Sequence, residues 1–329
     1  MKKLFTLAII IIAALAAFFW FVPAAWISFS LPNTPNTRIE ITEGLTADRV
    51  ADLLVEKGII ASAFKYKIFA RINSDAGSPM TGEYDLKAGM NFKRIARILA
   101  LGPVRKELSV RIIEGWTIYD IEKALIELGV EVRPSDFLAE RFEDDFEFLK
   151  DLPKDATLEG YLYPDTYRVW EDELPDALFR RQLQEFRLKT VGYDDEAKRQ
   201  GRTFHDIVIL ASIVEKEARH DEDRPIISGI FMNRLNIGMA LQSDATLNYV
   251  TRSGRDRGTA EDLANESPYN SYKYRGLPPG PIGNPGKPSL DAAMNPTDTA
   301  YWYFLTDEDG KAYFARTLDE HSQNRYKAF

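Results

Sequence analysis

A chain of 329 residues that is 45% hydrophobic and 28% charged holds enough apolar material for two or three packed domains. Its formal net charge of -8 argues against broad electrostatic binding to nucleic acid or to an anionic lipid surface. With no cysteine, disulfides, zinc–thiolate sites and a thiol nucleophile are excluded.

From Leu4 to Val22 the chain is uncharged and almost wholly apolar, about the ~17–25 residues that a spanning helix needs. Lys2 and Lys3 precede this run and no Lys or Arg follows until Arg38. That asymmetry keeps residues 1–3 cytoplasmic and exports the remainder. A cleaved signal peptide, with Ala14-Leu15-Ala16 as its cleavage pattern, is the competing reading. The run continues through Phe18, Phe19, Trp20 and Phe21, longer than a signal core requires, which favours an anchor in the plasma (inner) membrane. Residues 23–37 read as a linker.

Between residues 38 and 131 one pattern occurs three times. Ile41-Thr42-Glu43-Gly44-Leu45-Thr46 matches Ile112-Ile113-Glu114-Gly115-Trp116-Thr117, with a looser copy at Leu86-Lys87-Ala88-Gly89-Met90-Asn91. In each, an extended run reaches a Gly, then a Thr or Asn able to cap the amphipathic helix that follows. Gly58, Gly102 and Gly129 stand where those helices would end. The arrangement resembles LysM, a small glycan-binding module, although a generic strand–turn–helix scaffold fits the same pattern.

Residues 132–329 read as a second, mainly helical domain, giving an α+β protein. Pro134 to Lys154 is acidic and aromatic and reads as helical and surface-lying. Asp176 to Leu188 reads as an amphipathic helix with Phe179, Leu183 and Phe186 on one face. Thr203 and Asp206 form a capping box for the next helix, which runs apolar through Ile213 and Val214 to Glu215 and Glu217. Arg224 to Leu235 continues at helical spacing. The proline- and glycine-rich run 277–286 can be neither helix nor central strand, and Asp309-Gly310 marks a C-terminal hairpin.

A helix apolar on every side is normally buried, so carboxylates at its end are candidates for acid–base chemistry. On an unbroken helix Arg219 lies one turn beyond Glu215 and would hold it ionised, whereas Glu217 neighbours Ile213, Val214 and Asp221. Apolar and acidic neighbours raise a carboxyl pKa, as a general acid requires, so Glu217 is the preferred acid and Glu215 the alternative. The three histidines form no zinc motif, and neither a nucleophile elbow nor a phosphate loop is present. Neither a metal nor another cofactor is expected. Amides such as Asn233, Gln242, Asn248, Asn270 and Asn284, with Tyr161, Tyr163, Tyr167 and Tyr249, suit a sugar polymer, although packing explains part of the tyrosine set.

Several of these runs resemble the MltG (YceG-like) family of endolytic murein lytic transglycosylases: Ala211 to Glu217, Phe231 to Leu235, Leu241 to Asp244, Tyr269 to Tyr272, Gly276 to Ile282, Glu159 to Tyr167 and Phe314 to Asn324. The likeness covers essentially the whole chain. Ser243 and Ala245 depart from the Thr and Pro more usual in the family. The resemblance implies cleavage of the MurNAc–GlcNAc β-1,4 bond of peptidoglycan strands, with Glu217 as the catalytic glutamate. It implies a lyase that ends strands during cell-wall growth, with cell-wall synthases as candidate partners and no nucleic acid. Tyr163, Asp165, Asn233, Gln242, Asp244 and Asn270 are the residues expected to hold sugar or orient the acid. A hydrolytic muramidase, with Asp244 or Asp165 as second carboxylate, and a non-catalytic glycan-binding scaffold remain alternatives.

Overall fold

The computed structural model describes residue 11 and residues 36–73, 79–103, 105–254 and 258–328. The expected membrane span over residues 4–22 lies, Ile11 apart, outside them. Among the described residues no helix is long and apolar enough to cross a membrane.

The repeat is built as its sequence dictates. Strand β1 (Asn36–Ile41) leads to Thr46, whose hydroxyl accepts the Arg49 N–H at 3.4 Å and caps α1 (Ala47–Glu56). After β2 (Gly82–Lys87), Asn91 accepts the Arg94 N–H at 2.7 Å and caps α3 (Phe92–Leu101). After β3 (Glu107–Arg111), Thr117 and Asp120 close a reciprocal capping box on α4 (Ile118–Glu127), at 3.2 and 2.9 Å. The turn glycines Gly44, Gly89 and Gly115 have φ of 81°, 77° and 77°, a left-handed backbone that a side chain would strain.

One element falls outside the repeat. Helix α2 (Ala63–Ile72), capped by Ser62, intervenes between the first two copies. Strands β1 and β2 pair antiparallel, with Ile39 opposite Tyr84. Their inward side chains meet Leu54, Tyr66, Phe69, Phe92 and Ile95 in a core of their own.

By packing, the chain divides into two compact units between Arg105 and Lys106, whereas the repeat alone draws its boundary after residue 131. The reason is strand pairing. β3 bonds antiparallel to β4 (Thr166–Trp170), and Val110, Ile112, Ile121 and Leu125 join the core of the second unit. The third copy is thus part of the larger unit.

Residues 134–154 differ from expectation. They form three short 3-10 turns, and Phe137, Phe142, Phe146 and Leu149 are buried rather than surface-lying. Phe137 and Phe142 pack on Phe179 of α5 (Asp176–Lys189), at ring centroid distances of 4.9 and 6.5 Å. The intervening acids Glu140, Glu143 and Asp144 are exposed, so an acidic average concealed an apolar inner face.

Helix α6 (Tyr193–Arg199) precedes the central helix α7 (Phe204–Glu217), which buries Phe204 and every residue from Ile207 to Val214. Each large apolar side chain so buried contributes about 1.5–3 kcal/mol. Thr203 and Asp206 cap it, both bonds at 3.0 Å. Helices α8 (Arg224–Asn236) and α11 (Lys287–Met294) pack on it, with α9 (Asp244–Thr251) and the short α10 (Ala260–Leu263) between them in sequence. The run 277–286 is irregular, and the Ile282 N–H donates to Ser212 Oγ of α7 at 3.0 Å. Gly160 lets this run approach, because a Cβ there would meet Pro281 at 2.5 Å. Strands β5 (Tyr303–Thr306) and β6 (Ala312–Ala315) form the expected hairpin, against which α12 (Leu318–Ala328) lies. The fold is mixed α+β and mostly helical, with three separate two-stranded sheets among the described residues.

Candidate active site

Helix α7 stops at Glu217, because Ala218 turns extended at φ -92° and ψ 126°. Arg219 and Asp221 therefore do not continue the helical faces of Glu215 and Glu217. Arg219 instead donates to the Glu308 carbonyl at 3.2 Å. Two residues on a helix lie about 200° apart, so the two glutamates diverge. Glu215 turns inward, its side chain 6% exposed. It accepts from Arg224 at 3.1 Å and from the Gly286 N–H at 2.9 Å. Glu217 opens into a cleft of about 1570 Å³.

Burial pushes the Glu217 pKa up and the nearby Asp244 carboxylate pushes it the same way, while the Ser243 hydroxyl, the Ala245 N–H and Arg234 pull it down. The balance is a raised pKa. The direction read from the sequence is right, but the acidic neighbour is Asp244, not Asp221.

The groups on Glu217 are themselves held. Ser243 donates its hydroxyl to Glu217 Oε1 and its N–H to Ser271 Oγ at 3.0 Å. Thr246 donates to the Ser243 carbonyl at 2.8 Å, and Ser243, Thr246 and Ser271 are all buried. Asp244 accepts from the Tyr272 hydroxyl at 3.0 Å and the Gly258 N–H at 3.3 Å. The run Tyr269 to Tyr272 thus fixes the start of α9, Ser271 through Ser243 and Tyr272 through Asp244. Arg234 is buried and donates to the Trp302 carbonyl at 2.9 and 2.7 Å.

Of the residues singled out in the sequence, the structure brings Glu217, Gln242, Asp244, Asn248 and Tyr249 together on this cleft. Tyr163 is buried away from it, its carbonyl accepting the Tyr167 hydroxyl at 2.7 Å. Asp165 accepts the Thr166 N–H at 2.7 Å and, through its carbonyl, the Ile112 N–H at 2.9 Å. Asn233 donates to the carbonyls of Thr299 and Tyr301, at 2.8 and 3.1 Å. Asn270, wholly buried, donates to those of Leu263 and Asn265, at 3.0 and 2.9 Å. These four tie loops and strands, and none of them, nor Glu215, lines the cleft.

Tyr119, Glu159, Lys216, Arg234, Arg252 and Tyr272 line it without having been singled out for it. Arg252 places its guanidinium 4.2 Å from the Tyr119 ring centroid, joining the end of α9 to α4. Glu159, Lys216, Arg234 and Tyr272 lie inside the runs that carry the family resemblance, whereas Tyr119 and Arg252 left no such trace. No group of three His, Asp or Glu side chains among the described residues could hold a metal ion.

Gln242 is exposed yet has φ of 52°, a conformation costing a non-glycine residue about 1–3 kcal/mol. Strain at a cleft residue points to use of its side chain. Gln242→Gly should leave the melting temperature equal or higher. It should raise KM roughly 2- to 12-fold, the worth of about one hydrogen bond of 0.5–1.5 kcal/mol. Steady-state kinetics on soluble glycan strands reads this, and an unchanged KM would sink the role.

A family model described as the YceG-like family matches residues 39–327. The chain belongs to the YceG-like family. Within it, a Bacillus subtilis (strain 168) protein named endolytic murein transglycosylase is 29% identical over 306 residues, covering 89% of this chain and 84% of its own length. A Streptococcus pneumoniae (serotype 2) protein of the same name is 29% identical over 329 residues, and here the alignment covers 59% of the relative. The 2.6 Å crystal structure of a YceG-like protein from Listeria monocytogenes matches with a TM-score of 0.60 at 29% identity, covering 89% of this chain and all of that one.

Proposed function

We propose that this YceG-like chain is an endolytic murein transglycosylase that cleaves the MurNAc–GlcNAc β-1,4 bond within glycan strands. The observation that carries the reading is Glu217, a carboxyl with raised pKa at a large cleft, in a family whose relatives bear that name. Protonated Glu217 gives its proton to the glycosidic oxygen as the bond to the anomeric carbon breaks. The substrate's acetamido oxygen stabilises that carbon, so no enzymic nucleophile is demanded. The carboxylate left behind is held by the Ser243 hydroxyl, the Ala245 N–H and the Arg234 charge. It then takes the proton of the C6 hydroxyl, whose oxygen closes a 1,6-anhydro ring. Water is not consumed.

Asp244, close enough to raise the Glu217 pKa, motivates a second reading in which it directs a water and the reaction is hydrolysis. Its bonds to Tyr272 and Gly258 favour an orienting role instead. Mass spectrometry of purified sacculi treated with the protein decides between them. Anhydro-muropeptides are expected; reducing ends would establish hydrolysis, and no cleavage would overturn the enzyme.

The first unit, with its β–α–α–β–α order and separate core, is proposed as a LysM-like module that holds the strand, and residues 4–22 as the anchor that keeps both units at the wall under construction. The full chain should stay with membranes after a salt wash. Solubilised in detergent, its Glu217→Gln form should sediment with peptidoglycan. Release by salt would remove the anchor, and a supernatant protein would remove the glycan-holding role.

A further inference from the structure

The cleft contains a carboxyl that this mechanism does not use. Glu159 is 3% exposed and forms part of the cleft wall. Both of its oxygens lie 3.2 Å from the Ile118 nitrogen, whose N–H they share at the first turn of α4. Oε1 also receives the Asn284 amide, and Oε2 faces the Tyr249 hydroxyl, each at 3.3 Å. Asn284 in turn accepts the Leu162 N–H at 2.9 Å and donates to the Trp116 carbonyl at 2.8 Å. Glu159 therefore joins three segments distant in sequence: the start of α4, the proline-rich run and the second half of α9. The first half of α9 is what presents Ala245 and the neighbouring Ser243 to Glu217.

We propose that Glu159 is a positioning residue for the cleavage assigned above: by fixing Tyr249 against Ile118 and Asn284 it sets α9, and through α9 the donors on Glu217. This rests on the transglycosylase reading. The protonation state supports it. Burial pushes Glu159 up to about 8, against the lowering effects of the Ile118 N–H, the Tyr249 hydroxyl and the Lys216 charge on α7, while Asp120 on α4 adds to the rise. The Tyr249 hydroxyl, the Ile118 N–H and the Asn284 amide all donate to this carboxyl, and its raised pKa favours the carboxylic acid at neutral pH. Glutamine offers the same donor and acceptor in the same shape, but never ionises. A carboxyl whose folded pKa is raised stabilises fully below its unfolded value, and that contribution is lost as pH rises through about 8.

The test compares the full-length parent, Glu159→Gln and Glu159→Ala in detergent, using soluble glycan strands and thermal melts from pH 6 to 9.5. Glu159→Gln should keep kcat at pH 7 within about threefold. It should also lack the fall in melting temperature that the parent shows from pH 6 up to about 8, above which the Glu159 contribution levels off. Glu159→Ala should lose about 10- to 100-fold in kcat with KM little changed, since a ~1 Å misplacement can cost that much. Glu159→Gln as inactive as Glu217→Gln would make Glu159 a proton-transfer group and overturn the proposal. Parent kcat in Glu159→Ala would reduce it to packing. If Glu159→Ala does not fold, identical pH dependence of melting in the parent and Glu159→Gln would overturn the proposal alone. A parent that cleaves nothing fails the transglycosylase reading instead, and the melts still report on Glu159.

Discussion

Glu217→Gln should abolish release of anhydro-muropeptides while leaving the fold intact. Removing a general acid costs about 10²–10⁴-fold in rate, and here one carboxyl gives a proton in the first half of the reaction and takes one in the second. A loss at or beyond ~10⁴-fold is therefore expected. Glutamine fills the same space and still accepts from the Ser243 hydroxyl, so KM should change little. Stability should not fall. The raised pKa means that ionised Glu217 is the form the folded chain disfavours, so the parent loses stability as pH rises through the folded value. Glutamine lacks that loss, and the difference in melting temperature should grow in its favour with pH. Activity on sacculi at matched concentration, with melts at pH 5 and pH 8, measures both. Near-parental release by Glu217→Gln would move the acid elsewhere, with Asp244 the first place to look.

Two residues away, the expected effect is on stability rather than on chemistry. Arg224 and Glu215 form an ion pair whose side chains are 8% and 6% exposed. Arg224 also donates to Ser289 Oγ of α11 and to Asp221 at 2.9 Å, while Glu215 receives the Gly286 N–H. The pair thus staples the end of α7 to α8, α11 and the proline-rich run. Glu114 lies against Gly286, its pKa raised by burial first and by Glu215 second and lowered by Arg224, so three acids, Glu215, Asp221 and Glu114, face this one guanidinium. Breaking a buried pair by removing one partner costs about 3–5 kcal/mol, because a buried charge is left uncompensated. For a unit of this size each kcal/mol moves the melting temperature by about 2–4 °C. Arg224→Ala should accordingly melt roughly 6–20 °C lower, yet retain cleavage per folded molecule within a few-fold below that transition. Glu215→Gln should follow the same pattern more mildly, since its remaining oxygen can still accept one of the two bonds. An Arg224→Ala protein of parental stability but no activity would place Glu215 in the chemistry.

The contrast between these two glutamates shows what was legible in the chain. Local grammar was. Thr46, Asn91, Thr117 and Thr203 cap helices where their spacing places them, and Asp309-Gly310 turns the hairpin, because caps and tight turns are contacts over two to four residues. The apolar run into Glu217 likewise marked a buried helix ending in acid. Helix α2 was not legible, because its apolar face belongs to a core shared with β1, β2 and α3 and repeats nothing. Residues 134–154 read as surface-lying because acids dominate their average, while Phe137, Phe142 and Phe146 face inward.

The sequence by itself determined the capped helices, the repeat, the hairpin, the family likeness and a preference for Glu217 over Glu215. Tertiary structure alone decided what surrounds each of the two. Glu215 is neutralised by Arg224 of the next helix rather than by Arg219, and the charge that raises Glu217 comes from Asp244 rather than Asp221. It also decided which polar residues line the cleft: Gln242 and Asp244 do, and Asn270 does not. An amide reads alike in sequence whether it faces substrate or a carbonyl. Both a pKa and a binding wall are sums over groups brought within a few ångströms by packing, and here Glu159 bonds Ile118, Tyr249 and Asn284, which lie 41, 90 and 125 residues from it along the chain.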